Sequence, residues 1–367
     1  AYWQGSGDNH AGRVGFVISL MGETYMKQMK LSTKLLCGFG AVAFITVLLG
    51  LLGWHSAGTL TGHIHEISDV RLPSIASLKE IEKSLESLRV AQRTLMIPGL
   101  SPVDRERQFK NIEKARENYK KAWDIYEPLP QTPEEAETWR QFVPAIEAWR
   151  NENKKFEEQI AQLTKLDILD PTAFDQLITG FIRDHYKLEV DLYAHVTSGH
   201  ELQGGDDHTA CAFGKWMAGF TTSNEEIKAV LRAIAAPHEA FHKSVKKVKE
   251  LVQKGETNAA LKVIEDETKP LAQKTFEGFK ELSEISTAAR GVWQEAYQQL
   301  MTTAREKQNY ALELLDKLIK INDDVAATSS RQSQTDASRA KTLSVLGILI
   351  AVSYTHLRAH ETPEHLV

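Results

Sequence analysis

Four side chains near the middle of the chain carry donor atoms suited to a metal ion. His185 opens His-Tyr-Lys-Leu188, Cys211 opens Cys-Ala-Phe213-Gly214-Lys-Trp216, and His238 and His242 bracket His-Glu-Ala-Phe-His. Three imidazoles and one thiolate form a complete tetrahedral set for Zn²⁺, which favours nitrogen and sulfur donors and four-coordination. Four protein donors leave no position for water, so the set reads as a closed site and not a catalytic one. The chain has 367 residues and two cysteines. Cys37 sits inside an apolar run, out of reach of Cys211, so no disulfide is expected and metal ligation accounts for the unpaired thiol. Lys215 and a place at the start of a short helix are both expected to favour the Cys211 thiolate.

Such a site needs helices to hold it. His238 and His242 are four apart within a helical pattern, so they project from one face on successive turns. That face also carries Phe241, Val245, Val248 and Val252, the core-facing stripe of an amphipathic helix. His185 shares a second stripe with Leu188 and Leu192. The rings therefore turn inward, and the metal is expected inside a helical bundle. Three further histidines compete. His208 stands three before Cys211, a chelating spacing in its own right, and remains an alternative donor. His195 lies ten residues beyond His185, about 15 Å along a helix and too far to share one ion. His200 falls in a polar, glycine-containing stretch.

Taken together, His-x-x-Leu, Cys-x-Phe-Gly-x-Trp and His-x-x-x-His, at these gap lengths, resemble the chemoreceptor zinc-binding (CZB) domain. All four ligand positions of that family have a counterpart, at His185, Cys211, His238 and His242. The resemblance covers roughly residues 172–255. One departure is Leu188, where an aromatic residue often stands. The stretch beginning Leu72-Pro-Ser-Ile-Ala-Ser-Leu is similar to the first helix of the four-helix-bundle sensors of methyl-accepting chemotaxis proteins, and residues 255–270 are similar to their later helices.

The rest of the chain reads as mostly α. Glycine and proline are few, no alternating β-type run stands out, and the net charge of −5 does not point to nucleic acid. Residues 1–28 read as a non-native leader, with the natural start at Met26 or Met29. Residues 35–54 carry no charge and are long enough to span about 30 Å of hydrocarbon. Lys27, Lys30 and Lys34 precede them, so the N-terminus is expected in the cytoplasm and the following residues outside.

Beyond this span, residues 53–99 read as one helix interrupted near Pro73, with Leu72, Ile75, Leu78, Ile81, Leu85 and Leu88 at helical spacing. Residues 104–126 form a second helix with Phe109, Ile112, Ala115, Tyr119 and Trp123 inside, and residues 134–166 a third. Residues 55–171 are read as the first part of a sensor bundle, 172–255 as the zinc module, and 256–341 as the bundle's return helix. Residues 342–352 begin a second apolar run. His356, Arg358, His360 and Glu361 would be costly at membrane depth, so the chain reads as cut within a second span, with 353–367 an artefactual tail.

The expected architecture is all-α: an up-down four-helix-bundle sensor with an inserted helical zinc-binding bundle, flanked by transmembrane helices. Neither G-x-S-x-G nor a phosphate-binding loop occurs, so an enzyme is not expected. The resemblance implies the sensor region of a bacterial chemoreceptor in the inner membrane, with its sensor in the periplasm. It also implies a homodimer, and cytoplasmic signalling partners reached through a missing C-terminal region. A diguanylate cyclase or histidine kinase host, or a non-signalling metal-binding scaffold on the membrane, stands beside it.

Overall fold

The computed structural model describes residues 30–360, and all regular secondary structure among them is helical. The leader at 1–28 and the end of the tail, 361–367, lie outside the described residues. The helices are α1 (Leu31–His65), α2 (Leu72–Leu95), α3 (Pro102–Tyr126), α4 (Pro133–Leu166) and α5 (Pro171–Ser198), followed by α6 (Ala212–Gly219), α7 (Glu225–Gln253), α8 (Thr257–Val263), α9 (Lys269–Gln298) and α10 (Ala304–His360).

Three junctions are π-helical turns rather than breaks. Glu66–Arg71 joins α1 to α2, Ile264–Thr268 joins α8 to α9, and Gln299–Thr303 joins α9 to α10. The first two end just ahead of Pro73 and Pro270. Proline has no N–H to give the carbonyl four residues back, so the chain widens by one residue: Leu72 N–H donates to Ile67 O and Lys269 N–H to Ile264 O. The interruption expected near Pro73 is this turn. Leu72, at its end, is exposed rather than on the buried stripe.

Helix starts follow local chemistry. Ser101 accepts from Asp104 N–H and Asp170 from Ala173 N–H, each with proline in the first turn. Thr132 and Glu135 form a reciprocal capping box at α4, and Glu135 Oε1 also accepts from Tyr126 Oη at 2.7 Å, which ties α4 to the end of α3.

The chain divides into two compact units, residues 77–319 and the remainder. Within the remainder, α1 and the C-terminal half of α10 run antiparallel: Arg71 donates to Asn322 Oδ1 at 2.8 Å, His63 meets Asp336 at 3.2 Å, and Leu49 lies against Gly347. Their apolar runs are outward, with Phe39, Phe44, Leu51, Leu346, Ile348 and Leu349 all exposed.

Residues 77–319 contain three apolar cores. One joins Leu78, Ile81 and Leu85 of α2, Ala115 and Tyr126 of α3, Phe142 and Trp149 of α4, and Leu315 and Leu318 of α10. The fourth helix of this bundle thus comes from the chain beyond the intervening helices α5–α9. A second core packs Phe156, Ile160 and Leu163 of α4 with Ile178 and Phe181 of α5, Phe213 of α6, Ile234 of α7 and Phe279 of α9. A third joins Leu192 of α5, Phe241, Val245 and Val248 of α7, Ala260 of α8 and Ala272 of α9. Helix α9 therefore helps enclose α5 and α7, well beyond residue 255. In α3 the buried series is Arg105, Gln108, Ile112, Ala115, Ala122 and Tyr126, and Phe109 falls beside that stripe and is exposed.

Candidate metal centre

Helices α5, α6 and α7 each bring a donor to one point. His185 comes from the buried face of α5, His238 and His242 from α7, and Cys211 is the N-cap of α6. Junctions between helices set this arrangement. Asp167, in the left-handed region at φ 54°, ends α4; its carboxylate accepts from Thr222 Oγ1 at 2.9 Å and Ser223 N–H at 2.7 Å. Asn224 donates to Leu166 O at 2.8 Å and caps α7 through Glu226 and Ile227 N–H. The end of α4 and the start of α7 are thereby pinned together.

The four donor atoms lie within 4.8 Å of one another. Cys211 Sγ is 3.3 Å from His238 Nε2, and His238 Nε2 is 3.1 Å from His242 Nε2. Two second contacts settle which nitrogen faces inward. His185 Nδ1 meets Phe181 O at 2.7 Å, and His242 Nδ1 meets Gly205 O at 2.8 Å. A carbonyl accepts only, so each Nδ1 carries the proton and each Nε2 presents a lone pair. His185 Nε2 is fully buried and has no hydrogen-bond partner. Buried polar atoms are normally paired. An orphaned lone pair beside two others and a sulfur is the signature of a cation's place, and the donor set fits zinc.

The surroundings keep the imidazoles neutral. Phe213, Phe241 and Phe279 are fully buried around them, with the Phe213 ring 4.9 Å from that of His238 and the Phe279 ring 5.3 Å from that of His185. Burial, reinforced by the neighbouring histidines, lowers His238 to about 3. Burial likewise lowers His242 to about 4 against the raising effect of Gly205 O, and it lowers His185. Neutral imidazole is the form that coordinates. Both local effects expected at Cys211 are present, and burial acts against them. Its thiol does cap α6, accepting from Gly214 N–H at 3.1 Å, and Lys215 pulls in the same direction. Burial outweighs both and pushes the thiol up, so without a cation it is protonated.

Glycine is required at 214 because a Cβ there would stand 1.8 Å from His208 O. Cys211 Sγ also lies 3.3 Å from that carbonyl, so the loop before α6 packs directly on it. His208 contributes its carbonyl here; its ring is 6.0 Å from that of His238 and is not among the clustered donors. His195 is engaged with His200 O at 2.6 Å. The carbonyls of Phe181 and Gly205 were not anticipated. The first follows from helix geometry, four residues before His185, whereas no sequence signal marks Gly205.

His238-Glu239-Ala-Phe-His242 has the H-E-x-x-H spacing of zinc metalloproteases, in which the glutamate is the general base. Glu239 here pairs with Lys243 at 2.5 Å at the surface, and Cys211 stands as a further donor beside the two histidines.

Residues 185–249 match the model of the chemoreceptor zinc-binding domain. Residues 28–165 match the four helix bundle sensory module for signal transduction. That match ends with α4, and α10 completes the four-helix core beyond the zinc-binding domain. Comparison with curated proteins and with solved structures returned no match. One helical stretch among the described residues, Ser32–Leu95, holds a window apolar enough to cross a membrane, at mean hydropathy 2.5 and with none of it buried.

Proposed function

We propose that this chain is the sensor region of a membrane-anchored, homodimeric chemoreceptor that holds one Zn²⁺ through His185, Cys211, His238 and His242 and reports metal or oxidant status across the bacterial inner membrane. The convergence of three imidazole donors and one thiol within 4.8 Å carries the reading. The exposed apolar runs of α1 and α10, lying side by side, support two membrane passages, with residues 55–341 on the periplasmic side. Within that region we read the zinc module as 172–255, set into a bundle formed by 55–171 and 256–341.

Zinc supplies the cross-link between α5, α6 and α7 when bound. Cys211 is the one anionic, soft donor and the one open to oxidation. A peroxide would transfer one oxygen to the Cys211 thiolate, its O–O bond breaking to give a sulfenate and water, and this would weaken the sulfur's hold on the metal. Because Cys211 is also the cap of α6, the change loosens α6 against α5 and α7. This displacement is the signal, and α10 carries it as a single helix from Ala304 to His360.

The test is metal analysis and hydrogen exchange on the full chain. Wild type should hold one zinc per chain, and His238→Ala with His242→Ala should hold none. Losing two of four ligands forfeits on the order of 5 kcal/mol of metal binding. Peroxide should raise exchange in α6 of the wild type and leave Cys211→Ser unchanged. Zinc retained in the double variant, or lost on His208→Ala alone, overturns the ligand assignment. Identical exchange in zinc-loaded, chelated and oxidised protein would leave the metal a structural staple.

A further inference from the structure

The four-helix core contains a cleft that plays no part in zinc binding. It lies among α2, α3 and α4, has a volume of about 900 Å³, and is walled by Tyr119, Trp123 and Trp149. That size falls in the range of small-molecule pockets.

Three polar atoms of its lining residues, Ser84 Oγ, Tyr119 Oη and Asn153 Oδ1, are buried without a hydrogen-bond partner. Ser84 and Asn153 are 3% and 4% exposed, and neither Ser84 Oγ nor Asn153 Oδ1 makes a hydrogen bond. A helical serine or threonine commonly returns its hydroxyl to the carbonyl four residues earlier. Ser74, Ser87 and Thr94 on the same helix do so at 2.8–2.9 Å, and Ser84 does not. Unpaired groups buried in a helical core are costly, so their persistence at a cleft marks a place where a visitor supplies the partner.

The walls select the visitor. Aromatic faces favour a planar ring system. At the mouth the charges cancel in pairs: Arg116 with Glu157 at 2.5 Å, Arg150 with Glu147 at 2.7 Å and Lys120 with Asp124 at 2.8 Å. No field of one sign is left to draw in an ion. Tyr119 adds a neutral hydroxyl, since burial pushes its phenol up more strongly than Arg150 pulls it down. A carbonyl-type acceptor at Asn153 asks for an N–H or O–H donor.

We propose that the cleft among α2, α3 and α4 binds a neutral, fused-ring heteroaromatic molecule, stacked on Tyr119, Trp123 and Trp149, with a ring N–H donating to Asn153 and a second polar atom meeting Ser84. This would be a second input, independent of the zinc site.

The probes are theophylline, a neutral bicycle with a ring N–H, and caffeine, the same ring with that nitrogen methylated. Their binding to the full-length, zinc-loaded chain is followed by saturation-transfer NMR and tryptophan fluorescence. Theophylline should bind, and caffeine about tenfold more weakly because its methyl leaves the Asn153 acceptor unpaired. Asn153→Leu should abolish that difference and Ser84→Ala should weaken both probes alike, while zinc content, measured on the same samples, stays at the wild-type value. Equal affinity for the two probes overturns the proposal, as does tighter binding of the anion 1-naphthoate. So does absence of binding by both theophylline and the larger neutral tricycle lumichrome. A change in sedimentation of Asn153→Leu without any probe assigns the cleft to a second copy of the chain instead.

Discussion

The zinc-binding core and the four-helix core are built from the same kind of amphipathic helix, yet they treat buried polar groups in opposite ways. Around the metal centre the polar atoms converge: four donors from three helices fall within 4.8 Å, and Phe213, Phe241 and Phe279 close over them. In the four-helix core the polar groups are scattered. Ser84 and Asn153 stand on different helices beside open space, and the aromatic residues line that space instead of sealing it. Converging lone pairs serve a small cation, because one ion satisfies them all. Dispersed orphans along a cleft serve an extended molecule. The difference is that one core is locked by its ligand and the other is held by its own contacts.

The largest test of this contrast is Gly214→Ala. The added Cβ meets backbone at His208 O and cannot be relieved by a side-chain rotation. We expect about 1–3 kcal/mol of overpacking strain and, because α6 carries Cys211, weaker zinc binding as well. Thermal unfolding with and without a chelator would show it. Unchanged zinc affinity would mean that α6 can move without disturbing the site, which breaks the comparison.

Next in size is the proton linkage of the metal. His238 and His242, lowered to about 3 and about 4, are neutral at pH 7, whereas burial raises the Cys211 thiol above its ordinary value and keeps it protonated. Binding must therefore release about one proton per zinc near neutral pH, and affinity should rise about tenfold for each pH unit gained. The sign follows from the cation binding only the thiolate. Calorimetry in buffers of different ionisation enthalpy counts the protons, and release of two or three would show that the imidazoles are not held neutral.

The smallest is Thr132→Ala, which removes half of the capping box at α4. It should cost about 1 kcal/mol of stability, and it should leave zinc affinity unaltered because the box lies in the four-helix core. Parallel thermal denaturation and zinc titration would sharpen the independence of the two cores. A drop in zinc affinity would show instead that they act as one.

Much of this was legible in one dimension because helices are local objects. The i, i+4 spacing of His238 and His242, the stripe of Phe241, Val245 and Val248, and the caps at Ser101, Thr132 and Asp170 rest on contacts within a few residues of each other. Even the π-helical turn had a local sign, the proline at 73. Leu72 and Phe109 were misplaced for a related reason. A widened turn shifts helical phase by a residue, and a stripe several residues wide has edges that periodicity alone does not draw.

The sequence by itself determined the helical class, the donor types and the spacing that lets one site collect them, since each depends on residue chemistry and on the fixed rise and twist of a helix. Only the tertiary structure decided the rest. It set Gly205 O behind His242, brought Phe279 from α9 against His185, and turned Glu239 out to Lys243. It also raised the Cys211 thiol by burial and opened the cleft beside Asn153. These are outcomes of which helices meet and how closely, and desolvation and void space exist only once they have met.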